Sequence, residues 1–230
     1  MSTRTTPRSR TDAVRNQRLL VEAATRAFAE HGLAVPISRI VREAGLGKGT
    51  IFRCFPTKDH LVAAVVRERF AELAAEAESL LDEEDAGRAL HSFMAGAAAV
   101  YIGDRGFFES LSLAPRSHPE VREVEQRLIT AVEQLVTRAQ QQGAVRADVT
   151  ATDILLLLGG VRQAAAPLHA TVPELWRRYL DIVFDGLAPP PPGHRPLAVP
   201  APTREQYEES AQGLARPSPA PTDQDREVRP

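Results

Sequence analysis

Apolar residues recur at helical spacing near the beginning of the chain. They lie on one face of a helix with about 3.6 residues per turn. We therefore predict an amphipathic helix from Asp12 to His31, followed by Gly32 as the left-handed residue that commonly ends a helix. The residues of this apolar stripe are Leu20, Val21, Ala24, Ala27 and Phe28.

Two short helices and a long one follow in the pattern. Residues 36–44 begin with a proline, which suits the first turn of a helix, and they carry apolar residues on one side. After a tight turn at Gly45, residues 47–52 predict a second short helix. Thr57 can cap a long helix over 58–81, which has an acidic residue in its first turn.

Helical spacing continues through the second half of the chain. No stretch shows a sustained alternation of apolar and polar residues, so we predict an all-α protein with about nine helices. Beyond Leu187 the pattern stops, and eleven of the eighteen prolines lie in the last 42 residues, 189–230. We therefore predict a disordered tail. The remaining predicted helices are 88–102, 105–113, 119–142, 151–166 and 173–187.

Composition excludes several classes of protein. Cys54 is the single cysteine of the 230 residues, so no internal disulfide can form. The basic N-terminus has no apolar segment behind it, unlike a signal peptide. The longest dense apolar run, 154–161, is too short to span a membrane. We expect a cytoplasmic protein without a membrane partner.

Charge is distributed unevenly along the chain. Residues 1–60 contain eleven Lys or Arg and five acidic residues, a net charge of +6, whereas the remainder carries −8. A basic head on an acidic body favours a polyanionic partner for the head.

The segment GLGKGTIFRCF, residues 45–55, raises the question of a phosphate-binding loop. A nucleotide-binding loop of this type requires a lysine followed directly by Ser or Thr, and it follows a buried strand. Here Gly49 separates Lys48 from Thr50, and a short amphipathic helix precedes the segment. Two short helices joined by a tight turn and braced by a longer helix instead predict a helix-turn-helix unit, whose second helix enters the major groove of DNA.

These helices resemble a known family of DNA-binding proteins. LLVEAATRAFAEHG and ISRIVREAGLGKGTIFRCFPTKDHLVAAV are similar to the N-terminal domain of the tetracycline-repressor (TetR) family over roughly residues 15–66. The helix pattern of the second half and GAVRADVTATD, residues 143–153, resemble the family's ligand-binding and dimerisation domain, most closely the SbtR-type subgroup.

The resemblance implies a sequence-specific transcriptional regulator. We expect a ligand-responsive repressor that binds a palindromic operator in double-stranded DNA as a homodimer, with an unknown small molecule as effector. The expected parts are a flexible basic arm at 1–11, a helix-turn-helix DNA-binding domain at 12–57, a helical effector-binding and dimerisation domain at 58–187, and a disordered Pro-rich tail at 188–230.

The predicted DNA contacts divide into phosphate and base contacts. At three positions where the family commonly has serine, tyrosine and histidine, this chain has Gly47, Phe52 and Cys54, which donate weakly or not at all. The affinity should therefore depend more on cations, with Arg39 and Lys48 reading bases. The predicted phosphate contacts are Arg4, Arg8, Arg10, Thr50, Arg53 and Lys58, and Gly47, Gly49 and Phe52 complete the predicted DNA-binding set.

The resemblance also implies a dimer interface and an effector pocket in the second half. The last two helices of each subunit would pair in a four-helix bundle through Ile154, Leu155, Leu157, Leu158, Val161, Leu175, Tyr179, Ile182 and Val183. The predicted pocket residues, which could equally be ordinary core, are Phe93, Met94, Tyr101, Phe107, Phe108, Leu128 and Gln163.

Other chemistry is sparse in the sequence. The six histidines are scattered and have no cysteine pair near them, so we expect neither a metal site nor a cofactor. No catalytic motif supports an enzyme. One alternative remains open, namely a helical dimerisation or scaffold protein that binds DNA only non-specifically.

Overall fold

The computed structural model describes residues 10–111, 118–191 and 197–213. Across these ranges all regular structure is helical, which confirms the predicted all-α class, and the α-helices number ten instead of about nine. They are α1 (Arg10–His31), α2 (Ile37–Glu43), α3 (Lys48–Cys54), α4 (Lys58–Ser79), α5 (Ala86–Gly103), α6 (Arg105–Leu111), α7 (Pro119–Gln141), α8 (Ala151–Ala165), α9 (Leu175–Gly186) and α10 (Arg204–Gly213).

Local sequence explains most of the helix ends. Gly32 follows α1 with φ of +69°, and Gly143 follows α7 with φ of +70°, a region where residues with a Cβ are strained. The Thr57 hydroxyl accepts a hydrogen bond from the amide of His60 at the start of α4. Thr150 and Asp153 form a reciprocal capping box at the start of α8, as their spacing predicts.

The first three helices share one small core. Phe28 of α1, Ile40 of α2 and Ile51 of α3 are each at most 2% exposed. Pro36 lies at the residue before α2 and not in its first turn as predicted, with its carbonyl accepting a hydrogen bond from Arg39 at 3.0 Å. Packing on α1 therefore sets the positions of both short helices.

The remaining helices pack around α4 and α5. The long helix α4 lies along α7, while α8 packs on α5 and α9. The short helix α6 contacts both α1 and α4, so it joins the N-terminal helices to the rest of the fold. Asp85 caps α5 by accepting a hydrogen bond from the amide of Arg88 at 2.9 Å.

Part of the predicted disordered tail is helical, which corrects that prediction for residues 204–213. Arg204 at the start of α10 contacts Gln126 and Glu133 of α7, and Tyr207 packs against the apolar core. A single aromatic residue and an arginine supply this docking in a segment whose composition is otherwise typical of disorder. Residues 192–196 and 214–230 of the tail, like 1–9 of the predicted arm, lie outside the described residues.

Candidate nucleic-acid interface

A glycine-containing turn joins α2 to α3. Gly45 adopts φ of +66°, and the amide of Leu46 donates to the carbonyl of Val41 at 3.1 Å, which closes the end of α2. Ile51 and Thr50 face the core from the other side of the turn. The turn and this buried contact together fix the direction of α3.

One face of α3 points away from the protein. Lys48, Gly49, Phe52 and Arg53 are all exposed, and the Phe52 side chain is 59% exposed despite being aromatic. The Arg53 Nε donates to the carbonyl of Gly49 at 3.1 Å, which lays the side chain along the helix. The face therefore combines two cations, an apolar ring and a glycine without a side chain.

The glycines of this element have open space around them. A Cβ built at Gly47 or Gly49 meets no atom of the described residues within 4 Å, and neither residue has the positive φ that favours glycine. Intramolecular packing therefore does not require glycine at either position. Both instead leave the backbone of this turn of helix accessible from outside.

Thr50 differs from its prediction as a phosphate contact. Its residue is only 5% exposed, and it lies on the same buried side of α3 as Ile51. Because residues 50 and 51 are adjacent on a seven-residue helix, the packing that buries Ile51 also draws Thr50 inward. We correct the prediction accordingly and remove Thr50 from the exposed set.

Lys58 also lies differently from its prediction. Its Nζ donates to the carbonyl of Val35 at 2.8 Å and to that of Leu33, both in the loop between α1 and α2. The ammonium lies 5.9 Å from the centre of the Phe28 ring. Two of its three N–H donors are thus used inside the protein, which corrects the assignment of Lys58 as a phosphate contact and makes it a positioning residue.

Arg39 reaches the surface, where its side chain pairs with Glu43. Its Nε donates to Glu43 Oε1 at 2.7 Å, one turn further along α2. This hydrogen bond is the main cause that lowers the pKa of Glu43. An exposed pair of this kind is weak, so Arg39 can exchange its partner for a base or a phosphate.

Most of the predicted basic arm lies outside the residues that the structure describes. Arg4 and Arg8 lie outside the described residues, and Arg10 is the first residue of α1, without a described side chain. Arg42 of α2 is exposed beside the turn, and the sequence prediction did not include it. Its position on the outer side of a buried Ile40–Val41 pair was the available signal.

The residues predicted for the effector pocket pack together as core. Phe93, Met94, Tyr101, Phe107 and Leu128 are each at most 5% exposed, and the rings of Tyr101 and Phe107 meet edge to face at 5.7 Å. Phe108 is partly buried, whereas Gln163 lies at the surface. The alternative of ordinary core therefore holds for the first five, which fill space instead of lining it.

The predicted dimer surface divides into two sets. Ile154, Leu155, Leu158 and Val161 are at most 8% exposed within one chain, because α8 presses them against its neighbours. We therefore correct the prediction for these four. Leu157, Leu175, Tyr179 and Val183 remain partly exposed, Ile182 is 54% exposed, and Leu156, which was not predicted, is 51% exposed.

Comparison with known proteins shows the family to which this chain belongs. Residues 20–65 match the profile of the bacterial regulatory proteins of the tetR family, and residues 85–189 match that of the SbtR-like transcriptional regulator C-terminal domain. A TetR transcription regulatory protein from Mycobacterium vanbaalenii is 33% identical, with 78% of this chain and 98% of that chain covered and a TM-score of 0.57. The chain belongs to the TetR family.

Other solved structures agree with the TetR-family fold. The TetR transcriptional regulator SCO0520 from Streptomyces coelicolor is 29% identical, with 76% of this chain and 99% of that one covered and a TM-score of 0.57. The regulator FadR from Bacillus subtilis, solved with stearoyl-CoA, is 17% identical, with 74% and 98% covered and a TM-score of 0.58, and it supports the fold alone. The chain is therefore a transcriptional regulator with a DNA-binding helix-turn-helix.

In the residues that the structure describes, no group of three or more His, Cys, Asp or Glu side chains is placed to hold a metal ion. Among the described helices, none is both long enough and apolar enough to cross a membrane.

Proposed function

We propose that this TetR-family regulator is a ligand-responsive repressor that binds a palindromic operator as a homodimer. The observation that carries the proposal is the outer face of α3, where Lys48, Phe52 and Arg53 surround an open glycine backbone. A helix held rigidly by its buried side and exposed on a cationic side suits insertion into the major groove.

The side chains of this face suit different parts of DNA. We propose that Lys48 reads a guanine edge and that the Phe52 ring contacts a thymine methyl group. Arg53 of α3 and Arg39 of α2 would meet phosphate or base edges according to the sequence bound. Gly47 and Gly49 would let the DNA backbone approach closely, since nothing of the protein occupies the space above them.

We further propose that the two halves of the chain have different functions. Residues 12–57 bind DNA, while 58–187 bind the effector and dimerise, and α6 connects the halves through its contact with α1. The exposed apolar residues Leu156 and Ile182 support α8 and α9 as the dimer surface. A Cβ built at Gly160 of α8 meets no atom of the described residues within 4 Å, which would allow a partner helix to approach closely.

Selection of duplexes from a random pool, followed by mobility shift and footprinting, tests the DNA part of this proposal. We expect a footprint with two symmetric half-sites whose centres are about 34–36 Å apart. Weak, sequence-blind binding that salt abolishes would instead indicate the scaffold alternative.

Light scattering on the variant Ile182→Glu tests the dimer. A charge in the middle of the exposed apolar face should convert dimers to monomers, because an unpaired charge cannot be buried cheaply. The matched control is Val199→Glu, at a position that is 74% exposed and remote in sequence from α8 and α9. A dimer that survives the first variant would contradict this surface.

A further inference from the structure

A cleft lies where the DNA-binding helices meet the effector domain. Its volume is about 520 Å³, within the range of small-molecule sites. The ends of α1, α5 and α8 and the start of α6 form its walls, and the side chains that matter here are Ala29, Glu30, Ile102, Arg105, Arg162 and Ala165. None of the residues predicted for the effector pocket is among its lining residues.

Arg162 is the cation that the cleft holds in place. Its Nε donates to the carbonyl of Tyr101 at 2.8 Å, and its guanidinium lies 3.8 Å from the centre of the Phe108 ring. These two contacts fix the plane of the group. Across the described residues, its remaining N–H groups have no hydrogen-bond acceptor and no carboxylate as ion-pair partner.

Three other ionisable side chains line the cleft, namely Glu30, Arg105 and His169. Arg105 Nε donates to Glu109 Oε1 at 2.6 Å, and Glu30 lies 3.4 Å from His31. Burial is the largest effect on Arg162 and lowers its pKa, while the nearby negative charge of Glu109 acts in the opposite direction. Within the described residues, Arg162 therefore keeps N–H groups available to an anion and, unlike Arg105, forms no ion pair.

We propose that this cleft is the effector site and that it binds a small monocarboxylic acid through Arg162. A carboxylate matches the two parallel N–H groups of a guanidinium in geometry and charge. The apolar walls supplied by Ala29, Ile102 and Ala165 suit an uncharged body on the ligand. The carboxylates of Glu30 and Glu109 disfavour a dianion such as a phosphate monoester.

The position of the cleft connects it to DNA binding. Ala29 and Glu30 belong to α1, so a ligand on Arg162 touches the helix that carries α2 and α3. Glu109 of α6 accepts a hydrogen bond from the amide of Leu33 at 2.9 Å, directly after α1, while it also holds Arg105. An occupant that competes for Arg105 weakens this connection, which gives the ligand different affinities for the two states of the regulator.

Calorimetric titration of the full chain with benzoate, cinnamate and octanoate, each beside its primary amide, tests the inference, which rests on the proposed function. At least one carboxylate should bind tenfold or more tightly than its amide, as expected for a hydrogen-bonded charge pair of about 1.5–3 kcal/mol. The preference should disappear in Arg162→Gln and persist in Arg105→Gln. No carboxylate preference in the wild-type chain, or a preference that survives Arg162→Gln, overturns the site.

Two further arms keep the test decisive. If Arg162→Gln does not fold, Ala166→Trp fills the cleft from its exposed rim while the Arg162 side chain is retained, and it should abolish the titration signal. Carboxylate binding that leaves a selected DNA complex unaltered overturns the effector role. Failure of the wild-type chain to form a specific DNA complex without ligand contradicts the proposed function separately from the cleft.

Discussion

The helices α3 and α6 begin with the same residue pattern, but the surroundings of that pattern differ between them. Both have seven residues, and both start with a cation followed by glycine, Lys48-Gly49 and Arg105-Gly106. A Cβ at Gly49 meets nothing within 4 Å, whereas a Cβ at Gly106 lies 2.5 Å from the Phe28 Cβ and 2.7 Å from the Phe28 carbonyl oxygen. The same residue pattern therefore serves an external surface in one helix and a close internal contact in the other.

This difference shows what each glycine does. Gly106 lets α6 approach the backbone of α1, which is one of the contacts between the two halves of the chain. Asp104 fixes the start of α6 by accepting a hydrogen bond from the amide of Phe107 at 2.8 Å and by pairing with Arg69 at 3.1 Å. Gly49 has no such internal partner, so its role lies outside the folded chain.

The largest effect is expected for Gly106→Ala. The added methyl group would meet backbone atoms of α1 that cannot move aside, and we expect a loss of at least about 2 kcal/mol in the free energy of unfolding. Urea unfolding measures this, with Gly49→Ala as the matched control. Equal stability of the two variants would contradict the contrast between the helices.

Lys58 joins the start of α4 to the loop between α1 and α2. Its substitution should therefore change the stability of the protein and not its contacts with DNA. Lys58→Met removes two hydrogen bonds to the carbonyls of Leu33 and Val35, at a cost of about 2 kcal/mol. The salt dependence of DNA binding should keep its slope, whereas Lys48→Gln should reduce that slope by about one. A reduced slope for Lys58→Met would restore the assignment as a phosphate contact.

Gly49→Ala should separate folding from DNA binding. Alanine is the better helix former, so the free energy of unfolding should rise by up to about 1 kcal/mol. The added methyl group would occupy the space left for DNA, and affinity for a selected operator should fall about tenfold, which is near 1.4 kcal/mol. Increased stability with unchanged affinity would show that DNA does not approach this glycine.

The smallest effect on stability is expected for Glu76 of α4, whose side chain lies against a glycine of α5. Its carboxylate fills the space beside Gly96 of α5, and burial raises its pKa above the usual value. A raised folded-state pKa favours folding at low pH, and this contribution is lost as the pH rises through that value. Glu76→Gln should therefore gain stability relative to wild type as the pH rises from the ordinary glutamate pKa of 4.5 towards neutrality. Urea unfolding across this range measures the difference, and a constant difference would contradict it.

Local signals accounted for the elements that the sequence predicted well. The helix ends at Gly32 and Gly143 and the capping box of Thr150 and Asp153 each depend on residues within one turn. The helix-turn-helix was likewise recognisable, because its apolar spacing and its glycine turn are adjacent in sequence.

Contacts between distant residues account for what the sequence did not predict. Lys58 turns towards carbonyls 25 and 23 residues earlier, and Glu109 reaches an amide 76 residues away. Neither contact leaves a periodic signal, and a lysine in a basic head is interpreted by default as a DNA contact. The buried side of α8 was similarly indistinguishable from its exposed side, since both are apolar.

Because α4 is long, a small rotation around one of its ends becomes a displacement of the other end. It has 22 residues and is therefore about 33 Å long, running from the Lys58 contact with the α1–α2 loop to its far end against α7. A tilt of about 5° around one end moves the other by roughly 3 Å, close to one base-pair step of DNA. On the proposed function, a displacement of this size would be sufficient to move α3 out of register with the base pairs that it contacts.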